Sequence, residues 1–117
     1  MNPAPNDLLP LSPAALHILL ALAPDDLHGY GIMQEVARQS EGLYKLGPGT
    51  LYDNLKKLMQ QGLIEESGPR ASDDDPRRRY YRLSSSGRDV LTMEVQRLET
   101  VVREARTHLR ILDPRGT

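Results

Sequence analysis

Toward the C-terminal end, Leu91, Val95, Leu98, Val102, Ala105, Leu109 and Leu112 recur at spacings of 4, 3, 4, 3, 4 and 3. A seam with that repeat predicts one long helix with an apolar face that must find another helix. From Ser85 to Leu112 such a helix would be about 42 Å long. The short elements that precede it cannot cover that length. The expected outcome is pairing with a second copy of the chain through Leu91, Val95, Leu98, Val102, Ala105 and Leu109. Glu94, Arg97, Glu99, Arg103, Glu104, Arg106 and Arg110 flank the seam with both signs of charge, while Val90, Met93 and Val101 widen its apolar stripe. The competing reading is a helix that packs across its own domain.

The stretch from Gly47 to Glu66, GPGTLYDNLKKLMQQGLIEE, predicts a shorter helix running into a strand. Pro48 suits the first helical position, where a backbone N–H has no helical partner anyway. Leu51, Leu55, Leu58, Met59 and Gly62 share one side at helical spacing. Gly62 is suited to the left-handed residue that ends a helix. The opposite side carries Thr50, Asp53, Lys56, Lys57 and Gln60, a polar and partly basic front of a kind that fits a DNA major groove. Taken without its neighbours, the same pattern also describes an ordinary amphipathic surface helix.

The neighbours sharpen it. Residues 1–11 contain three prolines and read as an extended arm whose leucines, Leu8, Leu9 and Leu11, are expected to dock. Ser12-Pro13 starts a first helix that Pro24 stops. Its Leu16, Ile18, Leu19, Leu20 and Leu22 cover nearly the whole circumference, so part of it is expected to face a second subunit. His17 within it reads as a packed, hydrogen-bonded histidine. From His28 to Ser40 a second helix carries Ile32, Met33, Val36 and Ala37 on one stripe. Gly29 and Gly31 near its start would admit another backbone or a phosphate. Tyr30 is either a phosphate-binding hydroxyl or a core-edge tyrosine, and His28 reads as a local cap. A strand beginning at Gly62, a polar loop from Ser67 to Pro76 and a strand from Arg77 to Ser84 form a hairpin. That hairpin would present Arg70, Arg77, Arg78 and Arg79 to a minor groove or its phosphates. Asp73, Asp74 and Asp75 offer the opposing reading, a neutralised and solvated charge run.

The totals bound the possible functions. At 117 residues the chain is one domain with appendages, and its net charge of −1 means that any nucleic-acid surface must come from local clustering. With no cysteine, disulfides, thiol catalysis and thiolate metal sites are excluded. His17, His28 and His108 lie on separate elements, with no nucleophile and base set and no metal-ligand spacing, so neither an enzyme nor a metal or other cofactor is expected. The N-terminus lacks the features of a signal peptide and the longest apolar run is too short to span a bilayer, so a cytoplasmic location is expected and no membrane partner.

Helix, helix, helix, hairpin, long helix is the order of a mainly α winged helix-turn-helix with a β-hairpin and a long C-terminal dimerisation helix. The expected divisions are an arm at 1–11, a DNA-binding domain at 12–84, a coiled-coil-like helix at 85–112 and a tail at 113–117. LSPAALHILLAL, HGYGIMQEV, GPGTLYDNLKKLMQQGLIEE and RRRYYRLSSSGRDVL together resemble the PadR family of transcriptional regulators, in its small branch with a single C-terminal helix. The resemblance implies a homodimeric DNA-binding regulator, usually a repressor, acting on a palindromic operator in double-stranded DNA and often released by a small molecule. It implies DNA contacts from Tyr30, Thr50, Tyr52, Lys56, Arg77 and Arg78. Lys57, on the same polar front, is expected to affect sequence preference. Gly47 departs from the family by standing where a capping Ser is common, and Asp53 is an acidic group on the expected reading face. Leu98 stands where some small members hold a stacking aromatic residue. An effector site would then be an apolar channel lined by Leu16, Met93, Val95 and Leu98. The alternative function is a winged-helix protein-interaction module without DNA binding.

Overall fold

Three of the four α-helices described start at a residue whose side chain caps them. The computed structural model describes residues 5–68 and 78–110. A short 3-10 helix, Pro5–Leu8, leads to α1, Pro13–Leu22, whose N-cap Ser12 accepts the Ala15 N–H at 3.1 Å. A two-residue strand, β1 at Leu27–His28, precedes α2, Gly29–Gln39. There follow α3 at Pro48–Gln60, β2 at Ile64–Gly68, β3 at Tyr80–Leu83 and α4 at Ser85–Leu109. The N-cap of α4 is Ser84, which accepts the Gly87 N–H at 2.9 Å.

The end of α3 is the glycine stop expected from its sequence. Gly62 is left-handed at φ 75°, its N–H reaches the Met59 carbonyl at 3.0 Å, and the Leu63 N–H reaches the Leu58 carbonyl at 3.0 Å. These paired bonds satisfy the last carbonyls of the helix and turn the chain into β2. The Ser84 hydroxyl donates to the Gly62 carbonyl at 2.6 Å, and the Ser84 N–H donates to the Leu63 carbonyl at 3.0 Å. One corner therefore fixes the end of α3, the start of β2 and the start of α4.

The sheet has three strands rather than the two of a plain hairpin. The order is β1-β3-β2, all antiparallel, with Leu27 opposite Tyr81 and Glu65 opposite Arg82. A two-residue strand gives no periodic signal, so β1 is not legible in the sequence. The register slips between Glu66 and Gly68, where Gly68 has φ +81°. Tyr81 faces inward and Arg82 outward, as the alternation predicts. Arg70, Arg77, Asp73, Asp74 and Asp75, together with Leu112 and the tail, lie outside the described residues.

The first helix is covered mostly by its own chain. Ala14, Ala15, Ile18, Leu19, Ala21 and Leu22 are buried by the chain's own α2, α3, β3 and α4, while Leu16, His17 and Leu20 keep partial exposure and Pro13 is exposed. Three alanines let its neighbours approach closely enough for a small domain to surround it. Ile32, Val36, Leu46, Leu51, Leu55, Leu58, Leu63, Ile64, Tyr81, Val90 and Leu91 complete the core. His17 is half-buried, its ring stacked on Tyr44 at 5.0 Å, with the Gln39 amide 2.8 Å from its carbonyl and 3.2 Å from Nδ1.

The first turns of α4 belong to this core. Leu91, the first seam position, is only 6% exposed, so it packs within its own protomer and has little surface left for a partner. Beyond it, Val95, Val102, Ala105 and Leu109 are exposed and Leu98 is half-buried. Glu94 also departs from its expected place on a solvated flank: it is 1% exposed. Its Oε2 accepts the Leu11 N–H at 2.8 Å, and Arg97 donates to both of its oxygens. Leu8, Leu9 and Leu11 pack against the core beside it, which is where the arm docks.

Candidate nucleic-acid interface

Three elements meet at one polar cleft. Its volume is about 330 Å³, and His28, Gly29 and Tyr30 from the start of α2, Tyr52 from α3, and Arg78, Arg79 and Tyr81 from the third strand and its approach line it. His28 is the N-cap of α2, with Nδ1 accepting the Gly31 N–H at 3.2 Å, and its ring meets the edge of Tyr80 at 5.3 Å. Pairing of His28 with Tyr80 across β1 and β3 ties the wing to the start of α2. The short β1 thus holds the arginine-bearing chain against the helix pair.

The expected DNA-contacting residues divide into two groups. Tyr30, 61% exposed, and Tyr52, 53% exposed, share the cleft with Arg78. That exposure rules out a core-edge role for Tyr30. Thr50, Asp53, Lys56 and Lys57 are exposed on the outer face of α3, away from the buried Leu51, Leu55 and Leu58. Arg77 lies outside the described residues. Gly29 is read in the sequence as a point of close approach, whereas Tyr81 is not legible there as part of this wall. The signal for Arg79 is its place in the Arg77–Arg79 run.

The wing is less basic than its arginines suggest. Arg79 reaches Glu66 at 3.3 Å and Arg82 reaches Glu65 at 3.4 Å, both as exposed pairs across β2 and β3. Such surface pairs contribute about 0–1 kcal/mol, so a phosphate can displace the glutamates at small cost. Burial holds the Tyr81 phenol above its usual range, helped by Glu66 and the nearby Tyr52 and opposed by Arg79. Tyr81 is therefore a neutral wall, whereas the arginines supply the positive charge. Gly47 caps α3 with no side-chain hydrogen bond. Among the described residues, no helix is long and apolar enough to cross a membrane.

Residues 18–93 match the transcriptional regulator PadR-like family. The chain belongs to the PadR-like family. The matched span takes in the winged helix-turn-helix core from Ile18 onward, and the exposed seam of α4 falls beyond it. Among similar sequences, Transcriptional regulator Rv3488 of Mycobacterium tuberculosis is 37% identical over 89 residues, covering 76% of this chain and 78% of the relative. Among solved structures, a PadR family transcription regulator from hypervirulent Clostridium difficile R20291 superposes with a TM-score of 0.72 at 24% identity, over 84% of this chain and 99% of that one. Bacillus subtilis PadR, solved in complex with operator DNA, superposes with a TM-score of 0.60 at 23% identity, over 75% of this chain and 48% of that one. PadR-like proteins are transcriptional regulators, which sets this chain among regulators rather than enzymes.

Proposed function

We propose that this chain is a homodimeric repressor that binds a palindromic operator in double-stranded DNA in the cytoplasm. The observation that carries this reading is the cleft, where two exposed tyrosine hydroxyls and two arginines converge beside the exposed polar face of α3. Phosphate contacts position a protein on a duplex and base contacts specify the site. Here the cleft has the chemistry for the first and Thr50, Asp53, Lys56 and Lys57 for the second. Asp53 fits an acceptor for a cytosine amino group. Two copies joined along Val95, Leu98, Val102, Ala105 and Leu109 would present two α3 helices to half-sites about 34 Å apart. In that dimer Leu16, Met93, Val95 and Leu98 form an apolar channel open to a small effector. In this reading residues 1–11 are the arm, 12–84 the DNA-binding domain and 85–112 the dimerisation helix.

Binding to duplex DNA across a salt series tests the reading. The expected affinity falls by roughly a thousandfold between low and physiological salt, because several phosphate contacts release counterions. Weak binding that ignores salt would instead favour the protein-interaction module, the reading that the Arg79–Glu66 and Arg82–Glu65 pairs support.

A further inference from the structure

We propose that Gly29 is a positioning residue for Tyr52, and that its missing side chain is what turns the tyrosine hydroxyl into the cleft to meet a DNA phosphate. The inference rests on the DNA-binding reading above. A Cβ built at Gly29 would lie 2.6 Å from the Tyr52 hydroxyl oxygen and 3.2 Å from Cζ. Real side chains do not approach that closely, so the two positions are coupled through space. Backbone conformation does not call for glycine here, since Gly29 is not among the residues with positive φ. Gly31, two residues on, would place a Cβ in ordinary contact at 3.6 Å. Gly29 is thus set apart from its neighbour by what stands over it.

The atom that stands over it is the tip of a half-exposed side chain on another helix. A methyl group at position 29 would displace Tyr52 and leave the core intact. With glycine, the hydroxyl of Tyr52 rests on the first turn of α2, and Tyr52 lines the cleft together with Tyr30, Arg78 and Arg79. Tyr52 is therefore a phosphate-positioning group although it sits on the recognition helix, and Gly29 sets its angle. Its loss should weaken binding to all duplexes alike.

The test compares wild type, Gly29→Ala, Tyr52→Phe and the double variant. Binding is measured by fluorescence anisotropy on a mixed-sequence duplex and on a duplex selected for tight binding to the wild-type chain. Each single substitution is expected to weaken both duplexes by about tenfold, the scale of one hydrogen bond to a charged group. In the double variant, Gly29→Ala should add less than about a further twofold, since the hydroxyl it displaces is already gone. The thermal midpoint of Gly29→Ala should not fall, because alanine is the better helix former. The nuclear Overhauser contact between the Tyr52 ring and the Hα protons of Gly29, present in wild type, should vanish in the Gly29→Ala variant. Unchanged binding by Gly29→Ala overturns the proposal, as do losses that add in the double variant or that touch only the selected duplex. If wild type binds neither duplex, the DNA reading fails and the phosphate role with it, and the ring contact alone then reports whether Gly29 sets Tyr52.

Discussion

Gly87 and Gly49 show how differently two helical glycines can weigh. A Cβ at Gly87 would lie 2.0 Å from the Leu63 carbonyl oxygen, a backbone atom that also accepts the Ser84 N–H. Nothing flexible can yield there, so Gly87→Ala must push α4 off the corner where α3 ends and β2 begins. The expected loss is about 3 kcal/mol of folding stability, read as a lower urea midpoint. Gly49, in the first turn of α3, has nothing within 4 Å of a built Cβ. Gly49→Ala should leave the urea midpoint unchanged or raise stability by up to about 1 kcal/mol. Gly29 falls between these cases, with a side chain as the obstacle, and that is why its effect is expected on function and not on folding.

The arm and α4 are joined through Glu94, and that junction depends on charge. Hydrogen bonds from Arg97 lower the Glu94 pKa most, the Leu11 N–H lowers it further, and burial opposes them. Because the folded chain holds this carboxyl below its ordinary range, the unfolded chain takes up a proton first as the solution is acidified. The stabilising contribution is therefore complete above the ordinary carboxylate range and disappears as pH falls through the depressed value. Glu94→Gln removes the charge and keeps the shape. Thermal melts of the two proteins should differ most near neutral pH and converge in acid. A constant difference across pH would mean that the arm is held by Leu8, Leu9 and Leu11 alone. The same junction explains why α4 cannot be treated as an appendage: its first turns carry Val90, Leu91 and Glu94 into the core, and Arg88 donates to the Ala23 carbonyl at the end of α1 at 3.0 Å.

A chain of 117 residues packed as a sphere-like domain would have a radius of gyration of about 13 Å. This one has 16.1 Å and a longest dimension of 53 Å, which fits an α4 that projects beyond the body. Val95, Val101, Val102 and Leu109 are exposed along it. A projecting helix with that much apolar surface is poorly stabilised by water, and a second copy is the natural cover. Light scattering after size exclusion should give twice the 13.1 kDa chain mass. Leu98→Asp should yield monomers, and with one reading head instead of two it should lower DNA affinity by at least about a hundredfold. A monomeric wild type at micromolar concentration would remove the argument for paired α3 helices.

Periodicity and punctuation are enough to read the four helices, the Ser12 cap, the Gly62 stop and the hairpin strands, because these depend on neighbours within a few positions. The family can be read for the same reason: its motifs are local. Contacts between distant segments are not legible. Leu91 and Glu94 sit in a heptad pattern that a sequence alone assigns to a partner or to solvent, but the arm and α1 arrive over them and bury them. β1 is too short to show a period and exists because β3 lies beside it. Gly29 looks like a residue that makes room for a backbone or a phosphate, yet the space is taken by Tyr52 from the next helix. What a residue does through its own turn is written in order along the chain; what it does against a segment far along the sequence is set only when packing brings the two together.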